Sequence, residues 1–206
     1  MSKLDLKQGK AAYLMGLTGN IACGKSTVLR MLRERGAYTI DADTISHKIM
    51  QPGGSAFEPV LAAFGPAILA ATTPSVIDRR KLGAIVFADA IRLHELETII
   101  HPLVRLDILE QIAHTESKVV VLDAIKLLEN NLDEACDMVW VVACTPSVQL
   151  ERLMVRNSFN RDEALLRIEA QTPQAMKVAR ADVVIDNSGS LEATRQQVEA
   201  AWEKLN

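Results

Sequence analysis

The sequence predicts an α/β protein: a parallel sheet with helices on both faces, interrupted by a mostly helical insertion. Three observations predict it. The run AAYLMGLTG ends in glycine and leads through a short loop into a helix-period segment and then a second short strand, the opening of a parallel α/β domain. After residue 117, short apolar runs alternate with helical segments, and strands alternating with helices imply a parallel sheet. Between these parts, residues 44–117 offer no strand pattern.

Ala11–Gly19 reads as a buried strand, short and flanked by turn signals. Lys25–Arg35 has helical spacing, with Val28, Leu29 and Leu32 apolar, Arg30, Arg33 and Glu34 polar, and Gly36 as the C-cap. AYTIDAD is a second short strand leading into acids. Ser55–Phe64, Arg79–Phe87 and Ala90–Ala113 have helical spacing, punctuated by Pro52-Gly53-Gly54, Gly65-Pro66 and Thr72-Thr73-Pro74. Lys118–Ala124 and Asp137–Cys144 are strands, the second stopped by Thr145-Pro146. Ser147–Arg156 and Arg161–Gln171 are helices, the latter with Asp162 and Glu163 in its first turn. Val183–Ile185 is the last strand, and Leu191–Leu205 an amphipathic closing helix. The expected organisation is a polar tail over residues 1–10, a core from residues 11–43 and 118–206, and a helical domain over 44–117.

With 206 residues, 49% hydrophobic and 24% charged, the chain has the composition of a soluble globular protein of one or two small domains. Its net charge of −3 disfavours a general binder of nucleic acid or of membrane surfaces, which is usually basic. An anionic substrate must therefore meet a local positive site. No run approaches the roughly 18 apolar residues of a membrane span. MSKLDLKQGK has no apolar centre, so it reads as a polar tail and not a secretory signal. Cys23, Cys136 and Cys144 are odd in number and form no C-x-x-C or Cys/His cluster, which fits a reducing cytoplasm and argues against structural zinc or a disulfide framework.

The strongest chemical signal is Gly19-Asn20-Ile21-Ala22-Cys23-Gly24-Lys25-Ser26-Thr27, which matches G-x-x-x-x-G-K-S/T between a strand and a helix. Glycines let backbone N–H groups wrap phosphate oxygens without a Cβ in the way. The helix N-terminus adds partial positive charge and free donors. Lys25 supplies a full charge, and Ser26 can ligate Mg²⁺. The alternative is a glycine-rich turn with a solvated lysine.

Asp41 and Asp43 end the second strand, where parallel α/β folds place their ligands. A carboxylate there can accept the proton of an acceptor hydroxyl; alternatively, both acids cap the next helix. Asp123 closes an apolar strand in the manner of a magnesium-binding carboxylate, though many strands end in Asp. Arg152, Arg156, Arg161 and Arg167 follow the fourth strand, and a lid stabilising a phosphoryl group in transfer needs such cations; solvated helix charge is the competing reading. Arg79-Arg80-Lys81, His101-Pro102 and Arg105 could meet an anionic acceptor, or His101 sits at a helix boundary before proline. Asn187-Ser188-Gly189 is first a turn and secondarily a nucleotide-base contact.

LTGNIACGKST, IDADTISHKIM, IDRRKLGAIVF, LETIIHPLVR, VRNSFNRDEALLRIEAQ and ADVVIDNSGS together resemble the dephospho-CoA kinase family, from about Tyr13 to the C-terminus. The resemblance implies a P-loop NTPase-type core, a lid around residues 150–172, and a helical CoA-side domain. It implies ATP as co-substrate with Mg²⁺, transferring phosphate to the ribose 3′-hydroxyl of dephospho-CoA. Asp43, Lys25 and Arg156 would carry the chemistry. Gly19 to Thr27, Arg161 and Asn187 would hold the nucleotide. Asp41, Arg80, His101 and Arg105 would face the acceptor, and Ser26 and Asp123 the metal. The expected enzyme is cytoplasmic, a monomer or small homo-oligomer, with no nucleic-acid or membrane partner. One stretch departs from the family's usual D-x-P-L-L-F-E: here Asp123 is followed by Ala124-Ile125-Lys126-Leu127-Leu128-Glu129, without the proline. The remaining alternatives are another small-acceptor kinase, a nucleotide-operated switch, or a non-catalytic CoA-binding protein; no N-K-x-D-type guanine motif favours the switch.

Overall fold

The structure is a computed structural model and describes residues 13–71, 73 and 76–205. The expected polar tail, residues 1–10, lies outside the described residues. The described chain divides into two compact units, one running up to Ile40 and resuming at Thr115, the other spanning Asp41–His114.

The first unit is built on five strands: β1 (Tyr13–Thr18), β2 (Tyr38–Asp41), β3 (Val119–Asp123), β4 (Met138–Ala143) and β5 (Val183–Asp186). Their order is β2-β3-β1-β4-β5. β1 is central and pairs in parallel with β3, in register Tyr13↔Val119 to Leu17↔Asp123, and with β4 from Met15↔Met138. β4 pairs in parallel with β5. Apolar side chains on both faces of these strands fit a sheet covered twice.

One face is packed by helices α1 (Lys25–Glu34) and α9 (Leu191–Trp202). Met15, Leu17, Val121, Trp140, Val142 and Ile185 from the strands meet Val28, Leu32 and Val198 from the helices, all buried. Each such side chain contributes about 1.5–3 kcal/mol by leaving water. On the opposite face Gly16 lets Leu127 close in: a Cβ at Gly16 would stand 2.7 Å from the Leu127 Cδ2.

Helices α6 (Pro146–Asn157), α7 (Arg161–Glu169) and α8 (Gln174–Val178) complete this unit. α6 starts with proline at its first helical position, where a missing N–H costs nothing. α7 starts with a reciprocal capping box between Asn160 and Glu163. The short helix α8 carries Lys177, which is 1% exposed. Its ammonium donates to the Ile125 carbonyl at 2.6 Å and pairs with Glu129 at 3.0 Å. Thr18 Oγ1 donates to the same carbonyl at 3.0 Å. Arg180 adds bonds to the Leu128 carbonyl and to Asp133. The stretch after β3 that lacks the family's proline is therefore pinned by hydrogen bonds to its own carbonyls.

The second unit is helical: α2 (Ala42–Ile49), α3 (Phe57–Phe64), α4 (Arg79–Val86) and α5 (Ala90–His114). α5 gathers α2, α3 and α4 against it. α5 contains Pro102 in its interior, so His101 stands within a helix and not at its boundary. A proline there removes one intrahelical bond and strains the turn before it, at about 3 kcal/mol. Burial of Leu96, Val104, Ile108 and Ile112 on either side offsets that cost.

Burial alone would raise the Glu129 carboxyl, but hydrogen bonds from Thr172 and Lys177 outweigh it and hold it below its usual value. Its stabilising contribution is full above the unfolded pKa, about 4.3, and is lost as pH falls through the lower folded value. Replacing Lys177 with methionine should destabilise the protein by about 1.5–3 kcal/mol near neutrality, the worth of hydrogen bonds to a charged group. Urea titrations at pH 7 and at successively lower pH check this: the penalty should shrink as pH falls through the depressed folded pKa of Glu129, where the carboxylate is neutralised.

Candidate active site

Between β1 and α1, Gly19 to Gly24 turns back on itself with its backbone largely unpaired internally; the Cys23 N–H donates to the Asn20 carbonyl at 3.2 Å. Two glycines are required for different reasons. A Cβ at Gly19 would stand 2.6 Å from the Val142 carbonyl oxygen of the neighbouring strand. Gly24 has φ +90°, and a Cβ there would stand 1.9 Å from the Asn187 amide nitrogen. Ala22 also adopts a left-handed φ, +63°. α1 begins at Lys25 with no side-chain cap and no acid in its first turn. Its positive end is therefore open to an anion.

Side chains from distant segments hold the loop. Gln149 donates to the Ile21 carbonyl at 2.9 Å, while Gln171 accepts from the Ile21 N–H at 2.8 Å. Asn20 donates to the Thr172 carbonyl at 3.0 Å. Asn187 donates to the Cys23 carbonyl at 2.9 Å and accepts from Thr194 Oγ1 at 2.8 Å. Asn187 was expected at the nucleotide; it is buried, with both ends of its amide used on the protein, so it shapes the loop from beneath. Ile21 and Ala22 also pack against an apolar cluster of Leu150, Leu153, Ala164, Phe159 and Ile168 from the α6–α7 pair.

A cavity of about 890 Å³ opens over this loop, lined by Gly19, Lys25, Ser26, Ile125, Arg152 and Arg156 among others. Lys25 ion-pairs with Asp123, the last residue of β3, and both side chains are largely buried. Ser26 is exposed at the helix start. Arg152, half-buried on α6, has Nη1 shielded from water with no hydrogen-bond partner among the described residues. That nitrogen is 3.9 Å from where a Cβ on Gly24 would stand. An orphaned guanidinium nitrogen over a helix N-terminus is an anion acceptor. Arg156 is exposed on the same wall, its Nε donating to the Asn157 side chain at 2.9 Å. Arg161 lines a separate, mainly apolar cavity of about 520 Å³ with Pro146, Leu150, Met154 and Leu165. Arg167 stacks on the Phe159 ring at 4.0 Å.

The second unit holds the remaining candidates. Asp41 caps α2, accepting from the Thr44 N–H and Oγ1, both at 2.8 Å. It thus takes the capping role left open for the acid pair, while Asp43 lies in the first turn of α2. His47, one turn on, is held below its ordinary pKa by burial and by the Arg79 guanidinium, against the pull of Asp43 and Asp41. His47 and Arg79 therefore belong to the surroundings of Asp43. Arg80 is exposed on α4, its backbone N–H donating to the carboxylate of the N-cap Asp78. His101 is exposed and Arg105 half-buried, both on α5.

Gly36 also has φ +89°, but nothing lies within 4 Å of its would-be Cβ. The pair Gly24→Ala and Gly36→Ala thus separates backbone strain from loss of the loop. Each should cost about 1–2 kcal/mol of stability for the left-handed φ. Calorimetric titration with ATP should find affinity near parental for Gly36→Ala and at least tenfold weaker for Gly24→Ala, where Asn187 must also move.

This arrangement has relatives. A family model described as dephospho-CoA kinase matches residues 13–193. A Carboxydothermus hydrogenoformans protein named dephospho-CoA kinase is 48% identical over 188 residues, 90% of this chain and 90% of its own. A Symbiobacterium thermophilum protein of the same name is 47% identical, covering 92% of this chain and 80% of its own. The crystal structure of a Thermus thermophilus protein superposes with a TM-score of 0.84 at 32% identity, over 96% of this chain and all of that one. The chain belongs to the dephospho-CoA kinase family, whose members catalyse the final step of coenzyme A biosynthesis.

Proposed function

We propose that the protein transfers the γ-phosphoryl group of ATP to the ribose 3′-hydroxyl of dephospho-CoA. Beyond the family relationship, the observation that carries this reading is the set of cations on one phosphate-sized loop: Lys25 at the helix start and the unpartnered Arg152 nitrogen beside Gly24. Phosphoryl transfer asks a protein mostly for positioning and for cations around the moving group. ATP phosphates entering the loop exchange the Lys25–Asp123 ion pair for a Lys25–phosphate one. That exchange frees the Asp123 carboxylate. Arg152 completes its hydrogen bonding on the phosphate oxygens, and Arg156 stands at the cavity wall as a second cation.

The donors near Lys25 suit magnesium: a serine hydroxyl and one carboxylate, both hard oxygens. Among the described residues no group of three or more His, Cys, Asp or Glu could hold a metal alone. Mg²⁺ would therefore be held by Ser26 and Asp123 and complete its shell with phosphate oxygens and water, neutralising charge on the transferred group. Asp43 is assigned as the group that takes or orients the proton of the acceptor hydroxyl, with Asp41 fixing the helix that carries it. Arg80, His101 and Arg105 supply cationic and hydrogen-bonding groups for the acceptor's phosphates. Arg161 is assigned to the nucleotide side, as part of an α6–α7 lid. The cysteines are free and buried, which supports a cytoplasmic site of action.

Asp43→Asn should lower single-turnover phosphoryl transfer about 10²–10⁴-fold, the worth of a positioned base, with ATP affinity little changed. Asp41→Asn should cost far less, because Asn caps a helix about as well as Asp. An Asp43→Asn enzyme at parental speed removes Asp43 from the mechanism. Lys25→Ala should nearly abolish turnover; the truncation widens the open cavity that Lys25 lines and takes the ion-pair partner from Asp123. ADP release against dephospho-CoA, adenosine and AMP tests the acceptor: turnover preferring AMP or adenosine would replace this reading with another kinase.

A further inference from the structure

We propose that Cys23 and Cys144 form a reversible thiol–disulfide pair beneath the phosphate loop, closed by a peroxide and reopened by thiol reductants, that switches phosphoryl transfer off. Neither side chain has a role in the chemistry above, although the Cys23 backbone belongs to the phosphate loop. Cys23 precedes Gly24 in the loop, and Cys144 follows the last residue of β4. Their Sγ atoms are 3.3 Å apart, although the residues are 121 positions apart in sequence. They are 0% and 3% exposed. A third side chain fixes them: Gln174 Oε1 accepts from the Cys144 N–H at 3.1 Å and from the Cys23 thiol at 3.3 Å. Gln174 Nε2 donates to the Cys144 carbonyl at 3.0 Å. Both sulfurs are thus held at one spot by backbone and side-chain bonds. A disulfide has its sulfurs about 2.05 Å apart, so closure needs a shift of little more than an ångström.

The two thiols differ in reactivity. Cys144 is held below its usual pKa, despite burial, when the Cys23 S–H turns from Gln174 to the Cys144 sulfur 3.3 Å away, with help from the Arg152 guanidinium. Cys23 is pushed up by the contact with Cys144 and by burial. Cys144 is accordingly the more readily ionised of the two and the attacking sulfur, and Cys23 the resolving thiol. The Cys144 sulfur attacks one peroxide oxygen, the O–O bond breaks, and the departing hydroxide takes a proton to leave as water. Cys144 is then a sulfenic acid. The Cys23 sulfur attacks the Cys144 sulfur, the S–O bond breaks, and the hydroxide leaves as water with the Cys23 proton. Two thiols lose two electrons in total, and one peroxide becomes two waters.

The consequence falls on the loop. Asn187 bonds the Cys23 carbonyl, and Gly24 and Lys25 follow directly. Drawing the Cys23 side chain down displaces the amides that receive phosphate, and a misplacement of about 1 Å can cost on the order of 10²-fold in rate.

The test uses the full chain, treated with hydrogen peroxide, desalted and assayed for ATP turnover with dephospho-CoA. Unreacted thiols are alkylated and peptides mapped by mass, with cleavage before Asp137 to separate Cys136 from Cys144. The expected result is at least a tenfold loss of turnover, matched by a Cys23–Cys144 linked peptide two hydrogens lighter, and recovery with dithiothreitol. Cys136, buried against the Leu132 carbonyl, should stay free. The Cys144→Ser protein should keep its turnover after the same treatment. The switch is overturned by absence of the linkage, by linkage without loss of turnover, or by equal oxidative loss in Cys144→Ser. The turnover readout rests on the kinase reading, whereas the linkage is read by mass. A protein inactive before oxidation sinks the kinase reading, and an active kinase that never links sinks the switch.

Discussion

A phosphate loop must leave most of its N–H groups turned toward a ligand, so it can satisfy few of them on itself. The rest of this structure follows from that constraint. The segment from Gly19 to Gly24 is held instead from outside: Gln149 from α6 and Asn187 after β5 take its carbonyls, the Thr172 carbonyl takes the Asn20 side-chain amide, and Gln171 takes the single N–H of Ile21. These anchors are far apart in sequence, and the loop's shape is set only once α6, α7 and β5 are in place. A single buried amide, Asn187, couples the loop to the C-terminal helix through Thr194. Its position is also why residue 24 admits no side chain.

The chain is acidic overall, and the cations that matter are those whose surroundings differ. Lys177 and Lys25 make the comparison. Lys177 is sealed in, with a carbonyl and Glu129 as fixed partners; it can serve only to hold the chain after β3. Lys25 stands at an open helix end, paired with one carboxylate in a cavity wall. A phosphate can take that carboxylate's place without leaving the lysine unpaired, but the nearly buried Asp123 it releases then needs a cation of its own, the place the proposed Mg²⁺ would take. Arg152 differs again: its shielded Nη1 has already lost water and has no partner among the described residues in exchange. An anion arriving there restores a hydrogen bond whose desolvation cost has been met by folding.

The strands and the phosphate loop were legible because their signals are local: apolar runs cut by glycine or proline, and fixed residue types at fixed spacing. What failed to show was depth. Arg152 and Arg156 share a helical face by spacing, yet Arg152 is half-buried over the loop and Arg156 exposed at the rim; only the approach of α6 to the loop separates them. Asn187-Ser188-Gly189 reads as a surface turn, and its first residue is buried because β5 ends directly against the loop. α2 hides because IDAD reads as a strand end, while Asp41 turns the chain into a helix by capping Thr44. Helix α8 is too short for periodicity to announce, and no sequence pattern marks Lys177 in it for burial. His101 before proline reads as a boundary, and the packing of α5 overrides that local signal.

Ala22 brings these levels together. A left-handed φ on a residue with a Cβ costs about 1–2 kcal/mol, and glycine would remove that cost. The methyl group, however, packs with Ile21 into the cluster of Leu150, Leu153 and Ala164. Glycine there would relax the backbone and at the same time widen the unfolded chain's freedom and loosen the seal between loop and α6–α7. A larger side chain would keep the strain and crowd a cluster built around the small Ala164. Alanine is thus a compromise between local geometry and the packing that fixes the loop's height beneath Arg152. The strained backbone and the apolar seal belong to one device, in which the energy to hold an unfavourable turn comes from helices that themselves carry the cations facing it.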